Sequence, residues 1–169
     1  MTKPRLLILS DLFGQSKNNW ENTYIQHFQN DFEIKYYDCC ELGNVDKTIY
    51  TQENLHQQFV NFGIEKAVDN LLKLEKERVT ILAFSIGGTI AWKAALQGLK
   101  VNKLIALSAT RLRYETEKPN GTIQLFYGKN DRFQPNQDWF KKMKIEPKII
   151  KNTNHEFYKS YNPERVKYE

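Results

Sequence analysis

Short apolar runs alternate along the chain with longer segments in which apolar residues recur at helical spacing. The runs predict strands at residues 5–10, 32–37, 79–84, 103–107, 122–127 and 147–150. The longer segments predict helices at residues 20–29, 55–74, 87–97 and 137–143, with a further helix after His155. Alternation of this kind is typical of a parallel sheet covered on both faces. We therefore expect an α/β fold, with a doubly wound, mostly parallel sheet of about six strands.

The longest predicted helix should bury one stripe of apolar side chains against the sheet. That stripe consists of Leu55, Phe59, Phe62, Val68, Leu71 and Leu72. The least regular segments are residues 39–54, 109–121 and 161–169, and the last of these is expected to fray.

Length and composition indicate one globular domain over residues 1–169, without repeats or linkers. Hydrophobic residues make up 40% and charged residues 27% of the chain, which is ordinary for a globular protein. The net charge of +5 is scattered, and its densest cluster, at residues 141–144, is typical of a solvated helix face. Because no basic arm or RNA-binding signature accompanies it, we expect no nucleic-acid partner.

The two cysteines, Cys39 and Cys40, are adjacent, and a disulfide between neighbours is strained. We therefore expect reduced thiols and a cytoplasmic protein. The apolar run at residues 6–9 is too short for a signal peptide or a membrane span, so no membrane partner is expected. Three separated histidines without a Cys/His cluster offer no metal-ligand set, and no cofactor is expected.

Ser85 lies where a predicted strand ends and a helical pattern opens with Gly87 and Gly88. A strand that runs directly into a helix turns sharply, projects the residue at its tip and needs small neighbours there. Ala83 and Gly87 are those neighbours, so the A-x-S-x-G sequence departs from G-x-S-x-G by one methyl group. This pattern predicts a nucleophilic serine. Alternatively, Ser85 only ends the strand or caps the helix.

A nucleophilic serine needs a histidine base and an acid that orients it. His27 and His56 fall in helical patterns, whereas His155 follows the last strand after a short polar loop, where a base would have to stand. Asp131 follows the fifth strand and a glycine turn, and its alternative role is that of an Asx-turn residue. Asp138 is a second candidate acid, but it falls in the next helical pattern.

The chain order Ser85, Asp131, His155 resembles that of the α/β-hydrolase family, in which the nucleophile precedes the acid and the histidine. Residues 128–135 also resemble the family's G-x-x-D-x-x-x-P loop around the acid. The resemblance covers residues 6–157 and is closest to the small, capless serine hydrolases. It implies acyl-transfer chemistry at the carboxyl edge of the sheet.

The resemblance also implies an oxyanion hole made from main-chain N–H groups. The N–H of Leu12, or alternatively that of Phe13, would join that of Ile86 there. Family members often carry His-Gly after the first strand, whereas this chain has Asp11. A carboxylate would oppose negative charge at this place unless it turned away into hydrogen bonds, so a turn-forming role is expected for Asp11.

These features predict a serine hydrolase of the carboxylesterase or thioesterase type that forms an acyl-enzyme on a small-molecule acyl substrate. No long insertion stands between residues 107 and 122, so no lid and an open, shallow site are expected. The alternative is a catalytically silent hydrolase fold that acts as a binding or regulatory module, because Ala83 and Asp11 depart from the family pattern. A flavodoxin-like nucleotide-binding sheet would need a glycine-rich loop after the first strand, but residues 10–16 contain one glycine. The oligomeric state is not predicted.

Overall fold

A computed structural model describes residues 1–167 of the chain. The strands are β1 (Arg5–Leu9), β2 (Glu33–Tyr37), β3 (Val79–Phe84), β4 (Val101–Leu107), β5 (Thr122–Gly128) and β6 (Lys148–Ile150). The helices are α1 (Glu21–Phe28), α2 (Cys39–Leu42), α3 (Gln52–Gln58), α4 (Ile64–Leu74), α5 (Ile86–Leu96) and α6 (Gln137–Met143). Short 3₁₀ turns cover Leu112–Tyr114, His155–Lys159 and Pro163–Arg165. The helix predicted after His155 is therefore present, as a 3₁₀ turn.

The six strands form one parallel sheet in the order β2-β1-β3-β4-β5-β6. The chain passes outward from β1 to β2 and then returns past β1 to β3, so the winding direction reverses between β1 and β3. Ligands of such sheets bind beyond the carboxyl ends of the strands at this reversal. The expected α/β fold class is confirmed, and every pairing in the sheet is parallel.

Successive residues of each strand face opposite sides of the sheet, and both sides are covered. On one side, residues such as Leu7 and Ile81 pack in a core with residues of α2 to α6. On the other side, residues such as Ile8 and Phe84 pack with Tyr24 of α1 and with the C-terminal segment. β3 is buried along its whole length because it lies at the centre of the sheet.

A π-helical turn at Phe59–Gly63 joins α3 to α4 inside the predicted long helix. The wider turn accommodates one additional residue and shifts the helical register. Phe62 is therefore 45% exposed, and its predicted place in the buried stripe was wrong. The other stripe residues are buried or partly buried: Leu55, Phe59, Val68, Leu71 and Leu72.

Two segments predicted to be irregular are ordered. Asp38 caps α2 inside segment 39–54, because its side chain accepts hydrogen bonds from the N–H groups of Cys40 and Glu41. At the C-terminus, Val166 is buried in the second core, so the expected fraying was wrong for residues 161–167. Residues 168–169 lie outside the described residues. Within residues 1–167, no helix has both the length and the apolar character that crossing a membrane requires.

We predict that Gly87→Ala destabilises the protein. A β-carbon at Gly87 would lie 2.5 Å from the carbonyl oxygen of Ser10 and 2.9 Å from that of Leu9, so α5 would have to move away from β1. The free energy of unfolding, measured by denaturant titration, should fall by about 1–3 kcal/mol. Helix propensity alone favours alanine by about 1 kcal/mol. A variant more stable than the wild type would therefore contradict the close approach of α5 to β1.

Candidate active site

Ser85 forms the sharp turn between β3 and α5, with φ 51° and ψ −116°. A positive φ in a residue with a β-carbon is strained and persists only where the surroundings enforce it. The N–H of Ser85 donates to the carbonyl oxygen of Leu107 at 3.0 Å, and its own carbonyl accepts from the N–H groups of Gly88 at 3.0 Å and Thr110 at 3.2 Å. These hydrogen bonds fix the turn at the carboxyl edge of the sheet.

The residues on either side of Ser85 are packed closely. Ala83 is fully buried, and in the sheet it pairs with Leu9 of β1 and Ala106 of β4. Its methyl group is therefore accommodated in the core beside another small residue. A β-carbon at Gly87 would lie within 3 Å of two backbone oxygens, as described above, so the second small position of the turn favours glycine.

The three residues of the predicted triad lie together at this edge. The Oγ of Ser85 is 3.0 Å from Nε2 of His155. The Nδ1 of the same ring is 2.8 Å from Oδ2 of Asp131. Both separations are hydrogen-bonding distances, so the three side chains form one chain of proton donors and acceptors.

Asp131 makes a contact that fits each of the two roles predicted for it. Its Oδ1 accepts the N–H of Phe133 at 2.9 Å, as in an Asx-turn, while Oδ2 faces His155. The side chain is fully buried, so each of its oxygens depends on a protein donor. Asp138, the second candidate acid, is exposed in the first turn of α6.

Ser108 holds the histidine loop in place, and sequence reasoning missed it. Its Oγ donates to the carbonyl oxygen of His155 at 2.5 Å, and its N–H donates to Phe126 at 2.8 Å. Ser108 also has a positive φ of 56°. It follows β4 as Ser85 follows β3, and a serine after a strand end was the signal that could have identified it.

The loop after β1 lies against Ser85. Leu12 and Ile86, the predicted oxyanion donors, line the same cavity as Ser85 and His155. The N–H of Phe13, the alternative donor, is already bonded to Oδ1 of Asp11 at 3.0 Å. Of the two N–H groups considered in this loop, that of Leu12 is therefore the better candidate.

Asp11 is almost completely buried, and both of its oxygens are hydrogen-bonded. Oδ1 accepts the N–H of Phe13, and Oδ2 accepts the hydroxyl of Tyr158 at 2.9 Å. Burial raises the pKa of Asp11 above its ordinary value, although these hydrogen bonds oppose the shift. The side chain thus braces the turn, as expected, and links it to the segment that follows His155.

The two cysteines brace the same loop from the other side. The Sγ of Cys39 donates to the carbonyl of Ser10 at 3.2 Å, and that of Cys40 donates to Leu12 at 3.1 Å. Both are buried free thiols. Burial raises the pKa of Cys39 well above its usual range and that of Cys40 to about 12. Neither thiol is therefore activated as a nucleophile.

The cavity beside Ser85 has a volume of about 100 Å³ and is bordered by charged side chains. His56 lines it from α3, together with Arg111 and Arg113 from the loop after β4. His56 is helical, as predicted, but its position at the cavity was missed because nothing in the local sequence shows which loop α3 faces. His27 is exposed on α1. Among residues 1–167, no three His, Cys, Asp or Glu side chains are grouped closely enough to hold a metal ion.

No protein-family model matches the chain, and no curated protein is detectably similar to it in sequence. Solved structures do match it. A dienelactone hydrolase-like protein from Klebsiella pneumoniae subsp. pneumoniae superposes with a TM-score of 0.67 at 15% identity, over 95% of this chain and 78% of the other. A Xanthomonas campestris protein described as a hydrolase of the alpha/beta superfamily gives a TM-score of 0.66 at 13% identity, over 97% and 98% of the two chains.

A third similar structure comes from work on carboxylesterases of Nitrososphaera gargenis, with a TM-score of 0.65 at 14% identity. It covers 97% of this chain and 87% of the other. The chain therefore has the α/β-hydrolase fold. At such low identities the similarity concerns the fold alone.

We predict that Asp11→Asn changes the pH dependence of stability. Because the pKa of Asp11 is raised in the folded protein, folding favours its neutral form. The wild type should therefore lose stability relative to Asp11→Asn as the pH rises above the ordinary aspartate value of 3.8. Asparagine keeps an oxygen for the N–H of Phe13 and offers an N–H to the oxygen of Tyr158.

The measurement is the free energy of unfolding of both proteins at about pH 4 and about pH 7. Asp69→Asn, on the exposed side of α4, controls for the loss of one negative charge. A difference between wild type and Asp11→Asn that stays constant over this range would disprove the raised pKa.

Proposed function

We propose that the protein is a serine hydrolase that cleaves carboxylic esters or thioesters through an acyl-enzyme. Ser85 is the nucleophile, His155 the general base and acid, and Asp131 the residue that orients His155. The observation that carries the proposal is the continuous hydrogen-bonded relay from the Ser85 hydroxyl through the imidazole to a buried carboxylate. The fold of hydrolases and the strained turn under the serine support it further.

In the first half-reaction, Oγ of Ser85 attacks the substrate carbonyl carbon as its proton passes to Nε2 of His155. Asp131 accepts the Nδ1–H, which fixes the tautomer and stabilises the imidazolium. The N–H groups of Leu12 and Ile86 donate to the oxyanion of the tetrahedral intermediate. The intermediate collapses when the carbon–oxygen or carbon–sulfur bond breaks and the leaving group takes the proton from His155.

In the second half-reaction, water attacks the acyl-enzyme and gives a proton to His155. Collapse of the new tetrahedral intermediate breaks the bond to Oγ, and His155 returns the proton to Ser85. The carboxylic acid leaves, and the enzyme is restored. Every step uses side chains that already lie within hydrogen-bonding distance of each other.

We predict that a fluorophosphonate probe labels Ser85 and that His155→Ala abolishes labelling, because the serine then lacks its base. Ser85→Ala should lose both labelling and p-nitrophenyl butyrate hydrolysis, on the order of 10⁶-fold in kcat, with an almost unchanged melting temperature. His27→Ala, an exposed histidine on α1, is the matched control and should label like the wild type.

Absence of labelling in the folded wild type would instead favour a catalytically silent binding or regulatory module. Activity that persists in Ser85→Ala would refute the assignment of the nucleophile. A panel of p-nitrophenyl esters of increasing chain length, run beside thioesters and amides, measures which bond is preferred.

We predict that Asp131→Asn lowers kcat by about 10⁴-fold, because the amide cannot hold the required tautomer of His155. Asp138→Asn is the matched control, since it removes an exposed carboxylate a few residues away in the chain. Steady-state kinetics with one ester compares the two. If Asp138→Asn were the inactive variant, the acid would have been misassigned.

A further inference from the structure

We propose that the substrate carries an anionic oxygen group, a carboxylate or a phosphate, and that Arg111 and Arg113 bind it at the cavity that contains Ser85. The proposal rests on the hydrolase function above and specifies its substrate class. It follows from where the two guanidinium groups lie, from the lack of a carboxylate partner for either and from how they are held.

The two arginines belong to the loop that supports the nucleophile. Both line the cavity that Ser85 and His155 also line. Thr110, which precedes Arg111, donates its N–H to the carbonyl oxygen of Ser85 at 3.2 Å and accepts the hydroxyl of Thr89 at 2.5 Å. The position of the arginine backbone is therefore fixed relative to the reacting hydroxyl.

The cavity's carboxylates have protein partners, whereas its guanidinium groups have no carboxylate partner. Asp11 accepts hydrogen bonds from Phe13 and Tyr158, and Glu156 forms an ion pair with Lys159 at 2.9 Å. Within residues 1–167, no carboxylate lies within salt-bridge distance of Arg111 or Arg113. Neither guanidinium group at the cavity therefore forms an ion pair with a carboxylate of the described residues.

Both guanidinium groups lie near the same aromatic ring, and that of Arg113 also has neutral hydrogen-bond acceptors. They lie 5.1 Å (Arg111) and 4.6 Å (Arg113) from the centre of the Tyr114 ring. Arg113 also donates to the carbonyl oxygen of Phe133 at 3.3 Å and to the Tyr114 hydroxyl at 3.1 Å. Since a guanidinium has five N–H donors, Arg113 retains donors for a ligand.

Arg111 has a left-handed backbone conformation with φ 62°. This conformation is unfavourable for a residue with a β-carbon. It lies between Thr110, which is tied to Ser85, and Leu112, which is fully buried in the core. The loop is thus anchored on both sides of Arg111.

The positive charges of the two arginines also act on His56, which lines the same cavity. Burial lowers the pKa of His56, and the charges of Arg111 and Arg113 lower it further. An anion bound between the arginines would offset their mutual repulsion. Guanidinium groups bind carboxylate and phosphate oxygens through paired N–H donors, which gives both charge and orientation.

The test compares matched esters that differ in one charged group. On the acyl side, the p-nitrophenyl esters of adipic acid (mono-ester) and 5-phosphonopentanoic acid are compared with that of hexanoic acid, which distinguishes carboxylate from phosphate. On the leaving-group side, the hexanoyl ester of 4-hydroxybenzoate is compared with that of 4-hydroxybenzamide. Spontaneous hydrolysis is subtracted in each case.

At least one anionic ester should exceed its neutral partner in kcat/KM by about 10- to 100-fold, the range of charge-assisted hydrogen bonds. The Arg111→Gln/Arg113→Gln double variant should lose that advantage while still hydrolysing the neutral ester. As a control, Arg78→Gln removes one positive charge at an exposed position just before β3, at the end of the strand opposite Ser85, and should retain the advantage. Equal rates for anionic and neutral esters, or an advantage that survives in the double variant, would overturn the proposal.

A binding measurement separates failure of this inference from failure of the hydrolase function. In Ser85→Ala, isothermal titration tests adipamic acid, 5-phosphonopentanamide and the hexanoyl ester of 4-hydroxybenzoate, with hexanamide as the neutral control. At least one of the three anionic compounds should bind where hexanamide does not, and the arginine double variant should abolish that binding. If no ester were hydrolysed while an anionic compound still bound through the arginines, only the hydrolase function would be wrong. If neutral esters were hydrolysed and none of the three anionic compounds bound, only the anionic substrate class would be wrong.

Discussion

The close approach of α5 to β1 is the constraint on which the candidate site depends. Because Gly87 has no side chain, the first turn of α5 lies against the carbonyl groups of Leu9 and Ser10. The chain must then turn sharply at Ser85, whose strained conformation is held by hydrogen bonds to Leu107 and Thr110. The central position of β3, buried on both faces, supplies the packing that offsets this local strain.

Two serines with strained backbone conformations, at the ends of neighbouring strands, both contact His155. Ser85 follows β3 and faces the ring of His155, whereas Ser108 follows β4 and binds the carbonyl oxygen of the same residue. Because β3 and β4 are hydrogen-bonded to each other, the Ser85 hydroxyl and the residue that supports His155 share one rigid frame. The unfavourable backbone angles thus lie beyond the regular strands, where they orient side chains without disturbing the sheet.

Local sequence predicts the features that depend on a single strand end. It does not predict contacts between segments that are far apart in the chain. The strands, and the positions of Ser85 and His155 after them, follow from apolar runs that end at polar residues. The partner of Asp11 could not be predicted, because Tyr158 lies 147 positions away in the chain. In the sequence, Arg111 and its neighbours resemble ordinary surface residues, and only the folded loop places them at the cavity.

The π-helical turn at Phe59–Gly63 sets the orientation of the helix that borders the cavity. Each residue of an α-helix rotates the chain by about 100° around the axis. A chain one residue shorter here would form a continuous α-helix and rotate α3, with His56, by roughly that angle relative to α4. The number of residues in this turn therefore determines which side chains α3 presents to the mouth of the cavity.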